Sequence, residues 1–253
     1  MSKLKLFIYI LIFCPSISLA QIANIEVSRL NDNKQGLQGL ADFKFFLIQN
    51  SNTLYQFSNR VRLQYVKDKH NWLFLNDINL SLSNNLTFEQ NAFQHVRYGY
   101  MIDTSFVLEA FAQNQYDRIQ LIRQRVLLGA GTRIRFLQKG LIKSYYGLTC
   151  MLEYEDELKT EIRRFNTRMS TYINFKFTLK DWLRYYNTTY YQPLLANFSD
   201  FRFTTNNTLE FKVNGNLSVI TQFTMTYDSN PVEDASVLNQ NMRLTNGFAY
   251  NFK

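Results

Sequence analysis

Apolar and polar side chains alternate along almost the whole chain with a period of two residues. Between 200 and 213, Phe201, Phe203 and Phe211 fall on one face of an extended strand, and charged or polar residues fall on the other. Period two is the side-chain period of a β-strand, and a helical spacing of three and four residues fits poorly. The segment is therefore predicted to be a strand.

Segments with this alternation recur about twelve times. They span residues 37–49, 52–66, 71–83, 90–101, 104–115, 123–136, 144–155, 167–179, 182–192, 200–213, 216–228 and 242–252. Strands of soluble sheets usually have about five or six residues. These segments are longer, and they match the roughly 9 to 11 residues, plus overhangs, of a strand that crosses a bilayer.

The connections predict the topology. Those after even-numbered strands are short and turn-like, including Asn214-Gly215, whose residues both tolerate positive φ. Those after odd-numbered strands read as longer, such as 156–166 and 229–241, and only 50–51 breaks the rule. With both termini in the periplasm, this alternation of long and short connections indicates an up-and-down meander.

The width of such a meander decides which face is outside. About eight strands already give an interior that side chains can fill, so a closed soluble barrel of twelve strands would leave its centre empty. A membrane barrel has the inverse arrangement of a soluble barrel: its apolar rows face lipid and its polar rows face the lumen. The predicted fold is all-β: a transmembrane up-and-down antiparallel β-barrel of about 12 strands, of the outer-membrane type.

The N-terminus carries a predicted export signal. Residues 1–20 combine a basic start, an apolar stretch too short to span a bilayer, and Ser18-Leu19-Ala20 as a cleavage site. The alternative is a buried N-terminal strand or helix. We expect a cleaved signal at 1–20, a periplasmic tail at 21–36 that could fold into the lumen as a plug, and a barrel at 37–253. Cys150 is then the only thiol of the mature chain, which excludes an intrachain disulfide.

Composition and charge exclude other classes of protein. Hydrophobic residues make up 46% of the chain, too many for a disordered protein, and a mean hydropathy of -0.26 is too polar for a helical membrane bundle. The formal charge of +8 falls to +6 without Lys3 and Lys5. The remaining basic residues are scattered singly, so nucleic acid is not an expected partner.

Strand parity predicts which charged and polar side chains face the lumen. The predicted lumen network, structural or pore-lining, comprises Asp42, Lys44, Arg60, Arg62, His95, Arg97, Glu109, Gln113, Arg125, Arg133, Arg135, Glu153, Arg168, Arg202 and Glu210. Charges in a lumen of low dielectric must pair or stay hydrated. Either they form a network that fills a rigid barrel, or their basic excess lines an anion-leaning pore.

Neighbouring strands suggest particular pairs within this network. His95 and Arg97 lie beside the strand of Glu109 and Gln113. The next two strands suggest a second set of pairs, in which arginines of the sixth strand meet glutamates of the seventh: Arg125, Arg133 and Arg135 with Glu153 and Glu155. Two inward glycines of the same region, Gly129 and Gly131, could be barrel bends or could relieve crowding beneath larger neighbours.

No catalytic, cofactor or metal site emerges from the sequence. Membrane-embedded esterases place a base two residues from a serine on one strand face, but His95 has Arg97 at that offset and His70 has Trp72. An acidic cluster around Glu153 and Glu155 could bind a cation, but a solvated loop edge fits it better. Cys150 falls on an apolar row, where a reactive thiolate is unfavourable.

Several stretches resemble a family of bacterial outer-membrane barrels known as domain of unknown function 481, whose members are often described as salt-induced outer-membrane proteins. The similar stretches are NAFQHVRYGY (91–100), EAFAQNQ (109–115), RVLLGAGTR (125–133), YYQP (190–193) and YDSNP (227–231). They run over most of the chain, from about 26 to 252. The resemblance implies an outer-membrane location and a barrel, and it carries no catalytic residues.

The sequence thus predicts a non-enzymatic integral barrel of the Gram-negative outer membrane, with a structural or passive-permeation role in the envelope. The alternative is an anion-leaning small-solute porin with an Arg- and Lys-lined lumen, and a membrane-embedded hydrolase is a weaker candidate. The expected partners of the protein are outer-membrane lipid and, during insertion, the barrel-assembly machinery. No cofactor and no nucleic acid are expected, and the oligomeric state is open.

Overall fold

The structure, a computed structural model, describes residues 25–29, 34–49, 53–83, 86–160, 162–179, 182–214 and 217–250. The predicted signal at 1–20 lies outside these residues. The elements are a short helix α1 (Ile25–Ser28) and twelve strands: β1 (Gly36–Gln49), β2 (Thr53–Lys67), β3 (His70–Ser83), β4 (Leu86–Met101), β5 (Phe106–Asp117), β6 (Ile122–Lys139), β7 (Ile142–Glu157), β8 (Arg163–Thr178), β9 (Leu183–Leu194), β10 (Asn197–Lys212), β11 (Leu217–Asp228) and β12 (Gln240–Tyr250). In the described part of the chain, no helix is long and apolar enough to cross a membrane.

The strands form one antiparallel sheet in which each strand pairs with its neighbours in chain order, from β1 to β12. The predicted meander of twelve strands is therefore confirmed, and the fold is of the outer-membrane barrel type. Within the described residues no ladder joins β1 to β12, so the sheet is open along that one seam. Unpaired backbone groups are costly in hydrocarbon, so a membrane favours closure of this seam.

The two faces of the sheet have the polarity of a membrane barrel. On β7 the outward side chains of Leu148, Cys150 and Leu152 are exposed, whereas the inward side chains of Thr149 and Glu153 are buried. The extremes are adjacent in sequence: Leu152 is 60% exposed and Glu153 is 2% exposed. Soluble sheets show the opposite arrangement. The strand parity predicted from the sequence therefore has the correct sense, with apolar rows outward.

The predicted alternation of long and short connections is wrong in part. The strands continue into segments expected to be loops: β4 begins at Leu86, β8 at Arg163 and β10 at Asn197. As a result, the connections at 84–85 and 195–196 are as short as those after the even strands. Register shifts near the starts of β4 and β10 interrupt the alternation of side chains there, so periodicity alone predicts loops at these strand ends.

Three connections after odd-numbered strands pack against one another at one end of the barrel. Leu121, Val232 and Val237 form a buried apolar cluster against which Leu158 packs. The Nζ of Lys159 also lies 2.8 Å from a carboxylate oxygen of Asp234. The segment 229–239 thus folds back over the barrel end and covers part of its mouth.

The lipid-facing assignment predicts a depth-dependent cost for an outward charge. Leu148 lies near the middle of β7 and points outward, so Leu148→Arg should destabilise the barrel in lipid by about 2–4 kcal/mol. The matched change Leu137→Arg places the same charge outward, close to the end of β6, where the cost should be about 0–1 kcal/mol. Urea unfolding in vesicles measures both, and equal costs would contradict a spanning sheet.

Candidate lumen site

Residues 25–29, the described part of the N-terminal segment, lie inside the barrel. Ile25 at the start of α1 is buried in an apolar cluster with Leu73 and Leu75 of β3 and Phe93 of β4. These three strand residues have the inward parity of their strands, as the register of β3 with β4 shows. The cluster fixes one end of α1 against one wall of the lumen.

Glu26, the next residue of α1, connects this segment to the opposite wall. Its carboxylate lies 3.1 Å from the guanidinium group of Arg133 on β6 and accepts a 2.9 Å hydrogen bond from the Tyr172 hydroxyl on β8. It also lies 2.7 Å from Nε of Arg29. One buried carboxylate therefore holds the segment against β6 and β8.

The surrounding cations keep this carboxylate charged. Burial by itself raises the pKa of Glu26, but the nearby guanidinium groups, chiefly those of Arg133 and Arg29, lower it to about 2. Because that pKa lies below the usual 4.5, the stability contributed by the carboxylate is complete above the usual value. It is lost as the pH falls toward 2.

Arg29 extends the same network to β4 and β5. Its guanidinium group contacts the carboxylate of Glu109 on β5, whose other oxygen lies 2.6 Å from Nη1 of Arg97 on β4. Arg97 also donates from Nε to Nε2 of His95 at 3.2 Å. His95 must then carry its proton on Nδ1, which lies 3.2 Å from the side-chain oxygen of Gln113.

Two glycines make room for the aromatic rings of this region. A Cβ at Gly147 would lie 2.0 Å from the ring of Tyr172, and one at Gly129 would lie 2.5 Å from the ring of Phe111. Neither glycine has a positive φ. Close approach therefore explains Gly129 better than a bend does. The same close approach at Gly147 lets Tyr172 lie against β7 and reach Glu26.

A second network fills the lumen nearer the ends of the odd-numbered strands. Glu153 of β7 lies 3.1 Å from Nε of Arg168 on β8 and 3.9 Å from Nε of Arg125 on β6, and it contacts Arg202 of β10. Glu155 lies 2.6 Å from Arg125 and 3.0 Å from Arg202. The contacts of Arg202 join β10 to β7 past the two intervening strands β8 and β9, so they reach through the lumen and do not link adjacent strands.

Two rim carboxylates also bind arginines of this network. Nη2 of Arg168 lies 2.8 Å from Asp200, and Nε of Arg202 lies 2.9 Å from Asp228. The three arginines are thus shared among four carboxylates, with every partner inside the barrel or at its rim. The side chains of Arg168 and Arg202 are almost completely buried.

The space left in the lumen is very unequal along the barrel. Between the two networks lies a cavity of about 40 Å³, large enough for little more than a water molecule. Below the first network a cavity of about 900 Å³ opens at the end that carries the turns after β2 and β4. We call this larger cavity the vestibule. Glu26, Arg29 and Arg133 lie on its inner side.

A family model described as a protein of unknown function, DUF481, matches residues 49–252 of the chain. The chain belongs to the DUF481 family. This result confirms the resemblance found in the sequence motifs. A search of curated protein sequences finds no significant match.

Solved structures similar to this DUF481 protein include two porins and the β domain of an autotransporter, all of low sequence identity. The NanC porin aligns with a TM-score of 0.48 at 7% identity, covering 85% of this chain and 98% of the porin. The KdgM porin aligns with a TM-score of 0.39 at 12% identity, covering 85% and 100%. The β domain of the Bordetella autotransporter BrkA aligns with a TM-score of 0.36 at 9% identity, covering 86% and 99%.

The DUF481 chain places the residues predicted from its sequence in three regions. His95, Arg97, Glu109 and Gln113 meet as expected, and so do Arg125, Glu153 and Glu155. Arg133 belongs to the first network, and Arg168 and Arg202 belong to the second. The other six predicted residues lie outside both networks, near the open seam or the vestibule: Asp42, Lys44, Arg60, Arg62, Arg135 and Glu210. Asp42 pairs with Lys44 at 2.9 Å, and Arg60 pairs with Asp77 at 2.7 Å.

The expected contacts of Arg133 and Arg135 with Glu153 and Glu155 are wrong, since Arg135 is in register with Tyr145 and lines the vestibule. Arg133 is in register with Gly147 of β7. Gly147 and Glu153 are six residues apart, so their Cα atoms are separated by roughly 20 Å along the strand. Arg133 contacts Glu26 instead. Strand parity predicts which face of the sheet a residue is on, but it does not predict the residue's position along the barrel axis. Glu26 lies outside every strand, so no periodic signal pointed to it.

In the described part of this DUF481 protein, no group of three or more His, Cys, Asp or Glu side chains is arranged to hold a metal ion. The acidic residues Glu153 and Glu155 are occupied by arginines. Cys150 is exposed on the outward face.

Proposed function

We propose that the chain is a non-enzymatic barrel of the bacterial outer membrane whose lumen is closed at rest, with a structural role in the envelope and at most slow permeation. The observation that carries this proposal is the position of Glu26. Its carboxylate ties α1 to β6 and β8, while Ile25 packs against β3 and β4. On this proposal the segment 21–36 acts as a plug.

The ion pairs across the lumen support closure independently of α1. Arg202 reaches from β10 past two strands to Glu153 and Glu155 on β7, and Arg168 reaches Asp200 at the rim. Breaking a buried ion pair by removing one partner costs about 3–5 kcal/mol. Opening a path through this layer would separate several such pairs, so thermal motion would open it rarely.

The membrane location follows from the outward rows of apolar side chains and the predicted signal. Large hydrophobic residues are exposed on neighbouring strands all along the sheet, including Phe175, Leu209 and Phe211. An exposed apolar surface of this extent needs a lipid environment. We therefore propose outer-membrane lipid as the surrounding partner and the barrel-assembly machinery as the partner during insertion.

The surroundings of His95 support the non-enzymatic assignment. Both ring nitrogens are engaged, Nε2 with Arg97 and Nδ1 with Gln113. The ring also stacks between Phe93 and Phe111, with centroid distances of 5.9 and 5.2 Å. A general base needs a free lone pair within reach of its substrate. In this arrangement His95 acts as a structural link between strands.

The second candidate function, an anion-leaning porin, is favoured by one specific observation. The vestibule is lined by Lys69, Arg135, Lys143 and Lys176, against the acidic residues Asp103 and Glu210. Rings of basic side chains favour anions. Conduction would require displacement of α1 and rearrangement of the arginine layer, so the porin would be a state reached from the closed one.

Single-channel recording of the mature chain in a planar bilayer tests the proposed function. The protein should first show the heat-dependent gel mobility of a folded barrel. Because two ion-pair layers and α1 fill the lumen, we expect rare conductance steps or none. Frequent, long-lived openings at neutral pH, with an anion-leaning reversal potential, would replace this proposal with the porin.

A further inference from the structure

The vestibule contains an unusual pair of like charges. Lys143 of β7 and Lys176 of β8 are directly opposite each other in the register of the two strands, and both line the cavity. Like charges directly opposite on neighbouring strands destabilise a sheet. The Nζ of Lys176 lies 5.2 Å from the centroid of the Tyr186 ring, which holds this ammonium group within the vestibule.

The carboxylates around the vestibule do not neutralise these lysines. Glu26 is shared by Arg29 and Arg133, Glu210 lies 3.4 Å from Arg184, and Asp103 accepts hydrogen bonds from two backbone amides. Within the described chain, neither lysine forms an ion pair. Arg135, which lines the same cavity, forms none either.

We propose that the vestibule binds a small polyanion bearing carboxylate or phosphate groups, held by Lys143, Lys176 and Arg135. An anion between the two lysines would turn their repulsion into two attractions. The cavity volume of about 900 Å³ lies in the range of small-molecule sites and exceeds the need of a simple halide ion. This inference rests on the proposed function in one respect only: the proposed orientation of the barrel in the outer membrane places the open end of the vestibule on the periplasmic side.

Titration calorimetry on the full mature chain tests this site. The protein is placed in nanodiscs of zwitterionic lipid at low ionic strength and titrated with citrate and with inorganic pyrophosphate. We expect saturable binding of one anion per chain. The double variant Lys143→Gln/Lys176→Gln should bind at least about tenfold more weakly, since it removes two charge-assisted contacts. Lys159→Gln, which removes one positive charge at the opposite end of the barrel, should bind like the wild type.

A fold control and a lipid control make the outcomes distinct. The double variant removes a repulsive pair, so its urea midpoint should equal or exceed that of the wild type. Weaker citrate binding in nanodiscs that contain phosphatidylglycerol would identify a lipid headgroup as the source of the anion, whereas unchanged binding would identify a free solute. Equal binding by the wild type and the double variant, or no saturable binding, would overturn the inference. Calorimetry is independent of conduction, so an open lumen would leave this site standing.

Discussion

Glu153→Gln should destabilise the folded barrel more than any other single change of a lumen carboxylate. Glu153 is the shared partner of Arg125, Arg168 and Arg202, and its side chain has no exposed surface. Gln keeps the shape but not the charge, so three buried guanidinium groups lose the carboxylate that they share. The expected loss in free energy of unfolding is about 3–5 kcal/mol. Urea titration in lipid vesicles, read by the gel mobility of folded and unfolded chains, measures it.

The matched control is Glu210→Gln. Glu210 also faces the lumen, but its contact with Arg184 is 3.4 Å long and both side chains are partly exposed. Its loss should cost about 1 kcal/mol or less. Similar costs for the two variants would show that the layer around Glu153 is hydrated and contributes no special stability.

Glu26→Gln should loosen the N-terminal segment and open the lumen. The change removes the acceptor shared by Arg29 and Arg133 and weakens the hydrogen bond from Tyr172. A loss of about 3 kcal/mol corresponds to roughly a hundredfold rise in the population of the displaced segment. Single-channel recording should then show openings at least about tenfold more often than in the wild type.

An exposed loop residue provides the control for this second prediction. Glu233→Gln removes the same charge from the connection between β11 and β12, and it should leave the recordings unchanged. If Glu26→Gln stays as silent as the wild type while its fold is intact, then the arginine layer around Glu153 closes the lumen without the segment.

The sequence predicted the strands well because the pleat of a strand imposes its period on every residue. Each of the twelve predicted segments overlaps one observed strand, and the inward parity of residues such as Arg97 and Glu153 is correct. Lipid on one side and a polar lumen on the other make that alternation unusually strong. The strand ends were less predictable where the pairing is irregular, as between Asn197 and Phe201, because a register shift interrupts the alternation of side chains.

Contacts within the site were predictable only where the two residues lie on adjacent strands and at similar positions along the barrel axis. The Arg97–Glu109 pair meets both conditions, because the register places Arg97 and Glu109 within two residues of each other across β4 and β5. The contact of Arg202 with Glu153 spans two intervening strands and depends on the curvature of the sheet. The contact of Arg133 with Glu26 depends on a segment with no periodic pattern at all. Neither kind of contact leaves a local signal in the sequence.

The central claim, that the N-terminal segment lies in the lumen of the membrane-inserted barrel, is tested most directly by cross-linking. In a Cys150→Ser background, the pair Ile25→Cys/Leu75→Cys joins two residues of the same buried cluster. The control pair, Ile25→Cys/Leu152→Cys, uses a position on the lipid-facing side. Oxidation in intact outer membranes, read by gel mobility, should cross-link most chains of the first pair and few of the second. No cross-link in the first pair, or equal yields in both, would contradict the account.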